Sequence, residues 1–117
     1  MPFERGDIVE YSFLIPDTNK YEPHPALIIS NQDVYDADEC YICVMLTTSE
    51  RNDIFTYEIT DDMLQKPNNV PYAQARLHLV TYVLEKHITM RLPKNRMKAN
   101  SVDKLVEHIR EISLSSL

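Results

Sequence analysis

The chain begins with a regular alternation of apolar and polar positions, which predicts a β-strand with one buried face. Between residues 7 and 14, Val9, Tyr11 and Phe13 fall on one side of such a strand, and Glu10 lies on the other. Successive side chains of a strand point to opposite faces of the sheet. We therefore expect the first strand to be half buried.

Four further segments also have strand character. The segment Tyr41–Thr48 is the most apolar, so we expect it at the centre of the sheet. The other predicted strands are the short apolar segment Ala26–Ser30 and the alternating segments Phe55–Ile59 and Tyr72–Val83. This gives about five short strands before the sequence pattern changes.

Two polar segments separate the first strands. The segment Pro16–Pro25 holds three prolines in ten residues. It is predicted to be a loop because each proline removes a backbone donor and fixes φ. The segment Asn31–Glu39 is acidic and is predicted to be a loop with room for one helical turn.

The C-terminal segment changes to helical spacing and predicts an amphipathic helix over Ser101–Ile112. We expect Asn100 or Ser101 at its N-cap and Asp103 in its first turn. The apolar positions are Val102, Leu105, Val106, Ile109 and Ile112. Short strands followed by one helix predict a mainly β fold, a small curled barrel of five to seven antiparallel strands with a C-terminal α-helix.

Length and composition fit one domain covering residues 1–117. Of the 117 residues, 44% are hydrophobic and 26% are charged, as in an ordinary globular domain. No signal peptide is visible, and the longest apolar run, Tyr41–Leu46, is too short to span a bilayer. We therefore expect a cytoplasmic protein.

The two cysteines, Cys40 and Cys43, have a spacing that occurs in redox and zinc sites. Here they fall within a predicted strand, where positions three apart point to opposite faces. No second ligand pair follows them in the sequence. We therefore interpret them as core residues, in keeping with the usual burial of free cysteine.

The net charge of −6 does not suggest a nucleic-acid-binding protein, although the charges are unevenly distributed. Each cluster is either a solvated loop or a binding patch. The cationic cluster comprises Arg91, Lys94, Arg96 and Lys98; the acidic cluster comprises Asp33, Asp36, Asp38 and Glu39.

Familiar catalytic motifs are absent from the sequence. A chain whose only glycine is Gly6 cannot form a glycine-rich phosphate loop, and no zinc-protease or EF-hand motif is present. The four histidines are far apart and lack metal-ligand spacing. We therefore expect neither a metal nor another cofactor.

The candidate chemistry lies in polar residues at strand ends: His24, Thr47, Thr48, Gln74, Arg76 and His78. Paired strands could bring these groups onto one surface. Metal-free RNA cleavage needs such a set, because one group accepts the 2′-hydroxyl proton, another protonates the leaving 5′-oxygen, and donors stabilise the phosphorane. Each residue also has an ordinary explanation, as a loop histidine, a strand-forming threonine or the solvent face of a strand.

The order of these motifs resembles the MazF/PemK (Kid-like) toxins of bacterial toxin–antitoxin systems. The similar segments cover nearly the whole chain. They are Gly6–Phe13, the His-Pro-led segment His24–Ser30, the Thr-ending strand Cys43–Thr48, the Gln-x-Arg segment Gln74–Leu79, and the C-terminal helix.

This resemblance implies an SH3-like barrel, a homodimer, and metal-independent cleavage of single-stranded RNA at short sequences. It also implies a cognate antitoxin that occupies the active-site groove. Family members use the Arg of an Arg-Pro pair and a Thr ending the central strand as catalytic residues; here these positions hold His24 and either Thr47 or Thr48. The substrate-binding candidates are Lys20, Gln74, Arg76 and His78.

Two other interpretations remain open at this stage. A weakly active or inactive relative would keep the barrel as a protein- or nucleic-acid-binding module. His24 motivates this alternative, since histidine transfers protons near neutral pH but is not a permanent, fork-shaped cation. The other alternative is an unrelated small β protein with a structural role.

Overall fold

The computed structural model describes residues 2–116 and contains six strands and two helices, with single 3₁₀ turns at 61–63, 70–72 and 85–87. In chain order the elements are β1 (Asp7–Ile15), β2 (Lys20–Ile28), α1 (Gln32–Asp38), β3 (Cys40–Thr47), β4 (Thr56–Glu58), β5 (Gln74–Leu84), β6 (Asn95–Arg96) and α2 (Ala99–Ser113).

The six strands form one antiparallel sheet in the order β4-β5-β3-β2-β1-β6. The predictions of a mainly β fold, a central third strand and a C-terminal helix are confirmed. The sheet is not closed into a barrel, because β4 and β6 remain at its two edges. They approach each other only beyond their ends, where Leu64 and Met97 form an isolated bridge and Gln65 N donates to Arg96 O at 2.8 Å.

Both faces of the sheet are covered, which explains why β3 is apolar at nearly every position. Val44 and Leu46 pack in one core together with α2, whereas Cys43 and Met45 pack in a second core on the other face. The residues that α2 contributes to the first core are Val102, Leu105 and Ile109. Cys40 and Cys43 are both buried free thiols, in agreement with their interpretation as core residues.

The prediction of a loop over Pro16–Pro25 is wrong, because β2 already begins at Lys20. Pro23 and Pro25 are two residues apart, so their nitrogens face the same side of the strand. β3 pairs with β2 only at Ala26–Ile28, which leaves that side unpaired at the prolines. Proline is tolerated at such an edge position because no ladder hydrogen bond is lost.

Both helices differ from their predicted limits. The acidic segment forms a complete short helix, α1, whose N-cap Asn31 accepts a hydrogen bond from Val34 N at 3.3 Å. Helix α2 begins earlier than predicted, with Lys98 at the N-cap, so Asn100 and Ser101 lie inside it and Asp103 lies beyond its first turn. Within residues 2–116, no helix is long and apolar enough to cross a membrane.

Gly6, which precedes β1, has a φ of +98°, a conformation that side chains disfavour. A Cβ atom at this position would lie 2.7 Å from the carbonyl oxygen of Met97. The residue is also hydrogen-bonded on both sides, since Gly6 N donates to Ile28 O and Gly6 O accepts from Met97 N. The single glycine therefore stands where close backbone approach requires it.

Candidate functional site

A groove of about 360 Å³ lies beside β2, β3 and β5 and is bounded by the loop between β3 and β4. Four of the predicted site residues line it: His24, Thr47, Arg76 and His78. The groove is also lined by polar residues that the sequence analysis did not select, namely Asp17, Thr18, Glu22, Ser49, Arg51 and Asp53.

The pairing of β2 with β3 brings His24 and Thr47 to the same part of the groove. Ala26 pairs with Met45, and continuing this register by two residues places His24 across from Thr47. The ladder itself ends at Ala26, so the two strands separate there and leave space between the side chains. Two of the three predicted catalytic candidates therefore face one cavity.

Thr47, not Thr48, faces the groove. Thr47 is 4% exposed and lies on the same side of β3 as Met45, which also lines the groove. Its Oγ1 accepts a hydrogen bond from Ser49 N at 3.1 Å, so its own hydroxyl proton is available to another acceptor. Thr48 is exposed and lies outside the groove.

His24 has a side chain that is 20% exposed, and its nearest charged neighbour is Glu22. The two residues lie on the same side of β2, and His24 Nε2 is 3.9 Å from Glu22 Oε1. This separation is too long for a direct hydrogen bond. The imidazole therefore makes no direct hydrogen bond to this carboxylate and can contact another group in the groove.

A large bulge in β5 shapes the opposite wall of the groove. While β3 advances from Val44 to Leu46, its partner positions on β5 run from Val80 to Ala75, which leaves three extra residues on β5. Arg76 and His78 lie within this irregular stretch. Bulges redirect side chains and often occur beside active sites, and here the bulge directs these two residues to the groove.

Arg76 is 7% exposed and is occupied by a bidentate ion pair with Asp53. Its Nη1 donates to Asp53 Oδ1 at 2.9 Å and to Thr56 Oγ1 at 3.0 Å, and its Nη2 donates to Asp53 Oδ2 at 2.8 Å. The Arg76 guanidinium holds the pKa of Asp53 well below its usual range. This arginine therefore brings little uncompensated charge to a substrate.

Gln74 holds the loop between β3 and β4 and does not line the groove. Its Oε1 accepts from Arg51 N at 3.1 Å, and its Nε2 donates to Arg51 O at 3.3 Å. Lys20 is exposed at the start of β2 and is likewise outside the groove. Neither residue has direct access to the groove, although both were predicted to bind substrate.

His78 is stacked on Phe55 at the rim of the groove, with ring centroids 4.3 Å apart. Desolvation and, next, the positive charge of Arg76 lower the pKa of His78, whereas Asp53 raises it. The imidazole is therefore held neutral near pH 7. A neutral stacked ring suits contact with a planar group better than phosphate binding.

The cationic segment 91–98 does not supply the groove with charge. Lys94 Nζ lies 2.7 Å from Glu10 Oε2. Arg96 pairs with Asp7, with Nε 2.9 Å from Oδ1, and also with Glu4. These cations lie at the β6 edge of the sheet, and none of them lines the groove. Of the two readings that the sequence leaves open for this cluster, a binding patch at the groove is therefore not what the structure shows.

Sequence reasoning missed Arg51, which lies in the charged loop after the central strand. The only available signal was a cation following the Thr-Thr pair, and nothing in a local pattern shows that Gln74 fixes its backbone. It also missed Glu22, which lies two residues before His24 on β2, and Asp53, whose partner Arg76 comes from β5. Among residues 2–116, no group of three or more His, Cys, Asp or Glu side chains is arranged to hold a metal ion.

The model of one family, described as "PemK-like, MazF-like toxin of type II toxin-antitoxin system", matches residues 4–113. A match over this much of the chain defines its class, that of type II toxin-antitoxin system proteins. The chain belongs to the PemK-like, MazF-like toxin family.

Three solved structures illustrate the similarity in fold. A mycobacterial endoribonuclease in complex with its cognate antitoxin is 15% identical, with a TM-score of 0.66 over 98% of this chain and 99% of that chain. MazE-MazF from Deinococcus radiodurans is 9% identical, with a TM-score of 0.69 over 95% of each chain. The Mycobacterium tuberculosis toxin MazF-mt6 is 14% identical, with a TM-score of 0.62 over 91% of this chain and 94% of that chain. No curated protein matches the chain.

Proposed function

We propose that this protein is a cytoplasmic, single-domain endoribonuclease toxin that cleaves single-stranded RNA at short sequences without a metal ion. The observation that carries the proposal is the groove in which His24 and Thr47 lie across from each other, within a chain of this toxin family. The similar mycobacterial protein bears the name endoribonuclease, which supports the same activity here.

In the proposed reaction the RNA 2′-oxygen bonds to phosphorus, and the bond from phosphorus to the 5′-oxygen breaks. One proton leaves the 2′-hydroxyl and one joins the departing 5′-oxygen. His24 is the proposed proton carrier, since imidazole can accept and return a proton near neutral pH. Thr47 donates its hydroxyl proton to a non-bridging phosphate oxygen, because its lone pair already accepts from Ser49.

The alternative function is a catalytically weak or inactive relative that binds protein or nucleic acid. Two observations favour it. Histidine stands where the family resemblance places an arginine, and three carboxylates line the groove, from Asp17, Glu22 and Asp53. Of these, Asp53 is neutralised by Arg76, whereas the other two carboxylates oppose phosphate binding.

A cleavage assay with purified protein and single-stranded RNA separates the two candidates. We expect cleavage that persists in excess EDTA, because His24 and Thr47 supply proton transfer and hydrogen bonding within the chain. A Thr47→Val variant keeps the shape of the side chain and removes the hydroxyl, so we expect it to cleave more slowly than the wild type. Binding of RNA with no cleavage would favour the alternative, and activity that depends on added Mg²⁺ or Mn²⁺ would contradict the proposed chemistry.

We also propose a homodimer and a cognate antitoxin that occupies the groove. The similar structures bear names that include a cognate antitoxin or MazE, which supports the second part. A stable interface of standard size holds at tens of micromolar protein. Sedimentation showing only monomer at that concentration would contradict the dimer, and an antitoxin that binds equally well when RNA fills the groove would contradict shared occupancy.

A further inference from the structure

We propose that Arg51 is the residue that contacts a backbone phosphate of the RNA, and that Gln74 and Arg76 are positioning residues that hold its loop in place. This inference rests on the proposed function and gives its groove a defined phosphate subsite. It reassigns Gln74 and Arg76, which the sequence analysis places among the substrate contacts.

Gln74 fixes the backbone of Arg51 from both sides. The side-chain amide of Gln74 accepts from Arg51 N at 3.1 Å and donates to Arg51 O at 3.3 Å. Gln74 itself is held in the sheet, where it pairs with Thr47 on one side and Glu58 on the other. The Arg51 backbone is therefore anchored to the strand junction that also positions Thr47.

Arg76 fixes the same loop two residues further on. Its guanidinium forms two hydrogen bonds with the carboxylate of Asp53 and one with Thr56 Oγ1, all within 3.0 Å. Asp53 in turn accepts from Phe55 N at 3.0 Å. Three of the five N–H donors of this nearly buried arginine are therefore engaged in holding the loop, so we assign it a positioning role.

Arg51 differs from Arg76 in that its side chain is exposed while lining the groove. Among residues 2–116, no carboxylate lies within ion-pair distance of its guanidinium. Arginine presents a planar set of donors that matches two phosphate oxygens at once. Anchoring the backbone in advance lowers the entropic cost of ordering this contact on binding.

The same groove holds His24 and Thr47, which is why a phosphodiester is the ligand we assign to Arg51. A permanent cation beside a proton carrier and a hydroxyl donor supplies what a developing phosphorane needs. It also replaces the permanent charge that the family arginine would give and that His24 does not. An acidic peptide could satisfy the cation alone, so it is tested as a separate outcome.

The test measures the salt dependence of binding to a non-cleavable, 2′-O-methyl single-stranded oligonucleotide. Each phosphate contact with a cation contributes about 0.7 to the slope of log K against log salt for single strands. We expect Arg51→Met to lower the magnitude of this slope by about 0.7. The matched control is Arg110→Met, an exposed arginine on α2 outside the groove, which should leave the slope unchanged.

A double-mutant cycle tests whether Gln74 acts through Arg51. We expect Gln74→Ala to weaken RNA binding in the wild type and to add nothing in the Arg51→Met background, because the residue it positions is already lost. Additive losses would show that Gln74 contacts the RNA directly. Thermal unfolding of each variant checks that the fold is retained, and the coupling is read only from the folded proteins.

Three further results would overturn the inference. If the wild type binds RNA and Arg51→Met shows the same salt slope, Arg51 does not contact a phosphate. The proposed function would then be unaffected. A variant that loses affinity only for a poly-glutamate probe would assign Arg51 to an acidic peptide. Wild-type protein that neither binds nor cleaves RNA would reject the proposed function as well.

Discussion

Two cationic regions of this molecule differ in where their basic residues lie and in how they are paired. The segment 91–98 carries four basic residues close together in sequence, yet Lys94 pairs with Glu10, and Arg96 pairs with Glu4 and Asp7. The groove has fewer basic residues, and they come from separate elements. There Arg76 is paired with Asp53, while Arg51 is left without a partner carboxylate among residues 2–116.

The two regions therefore differ in where their unpaired cations lie. Arg51 lines the groove, whereas Arg91 and Lys98, which also have no carboxylate within ion-pair distance among residues 2–116, lie outside it. Lys94 and Arg96 pair with carboxylates of β1 and of the segment before it, so their charges stabilise the fold. The acidic net charge of the chain is thus compatible with one open cationic position in the groove. Substitutions in the two regions should therefore affect different quantities, namely RNA cleavage or binding for the groove and the free energy of unfolding for segment 91–98.

The largest effect is expected at His24, on the catalytic side of this comparison. His24→Ala should lower RNA cleavage by about a hundredfold or more, the magnitude typical of lost acid–base catalysis. His24→Arg should also lower the rate, because a guanidinium stays protonated near neutral pH and cannot act as the proton carrier. Retained activity in His24→Arg would show that this position acts as a cation and not as a proton carrier. Single-turnover cleavage rates of the three proteins at one pH test both statements.

The control for His24 is its stability. Neither substitution removes a buried apolar side chain or a hydrogen bond within the described chain, so thermal unfolding should change little. Equal cleavage by wild type and His24→Ala would show that His24 is only a strand residue. Inactivity of both the wild type and His24→Arg would support the binding-module alternative.

The next effect is expected at Arg96, on the structural side of the comparison. Arg96→Met should destabilise the fold by about 2 kcal/mol, because the nearly buried carboxylate of Asp7 loses its charged partner. Asp7 Oδ2 would keep only its hydrogen bond from Glu4 N. Denaturant unfolding at pH 7 measures this change, and the salt slope of RNA binding should stay the same.

The matched control is Arg91→Met. Arg91 is exposed and has no carboxylate within ion-pair distance among residues 2–116, so its replacement should change stability by less than about 0.5 kcal/mol. Equal effects of the two substitutions would mean that the Arg96 ion pairs add no stability. A smaller salt slope of RNA binding in Arg96→Met would show that this segment contributes to RNA binding.

Much of the fold could be predicted from the local pattern, because burial alternates from Val9 to Leu14 in β1 and from His78 to Val83 in β5, and follows helical spacing in α2. The failures have local causes as well. Pro23 and Pro25 indicate a loop, but the open side of β2 accepts both without losing a hydrogen bond. The N-cap rule favours Asn100 or Ser101, but the helix starts at Ala99 behind Lys98, so packing decides its start over capping preference.

Only part of the site could be predicted, because the free charge of a side chain depends on ion pairs with residues distant in the sequence. His24 and Thr47 could be selected because strand ends and a family motif mark them. Whether Arg76 is free depends on Asp53, which is 23 residues earlier in the chain, and no local pattern reports such a contact. The bulge in β5 could not be predicted either, because a register shift depends on the partner strand as well as on the sequence of β5.

The smallest effect is expected at Asp53 and concerns the pH dependence of stability. Arg76 lowers the pKa of Asp53 in the folded protein, so the ionised carboxylate is favoured by folding. For a lowered pKa, the stabilisation is complete above the unfolded value, about 3.9 for aspartate, and is lost as the pH falls through the folded value. Asp53→Asn should therefore be less stable than the wild type at pH 7, and the difference should narrow below about pH 4. Urea unfolding from pH 3 to 7 measures it, with exposed Glu58→Gln as the control for general charge effects. A difference that stays constant over this range would show that the Arg76 pair is not what secures the loop, and would weaken the case that Arg76 positions Arg51.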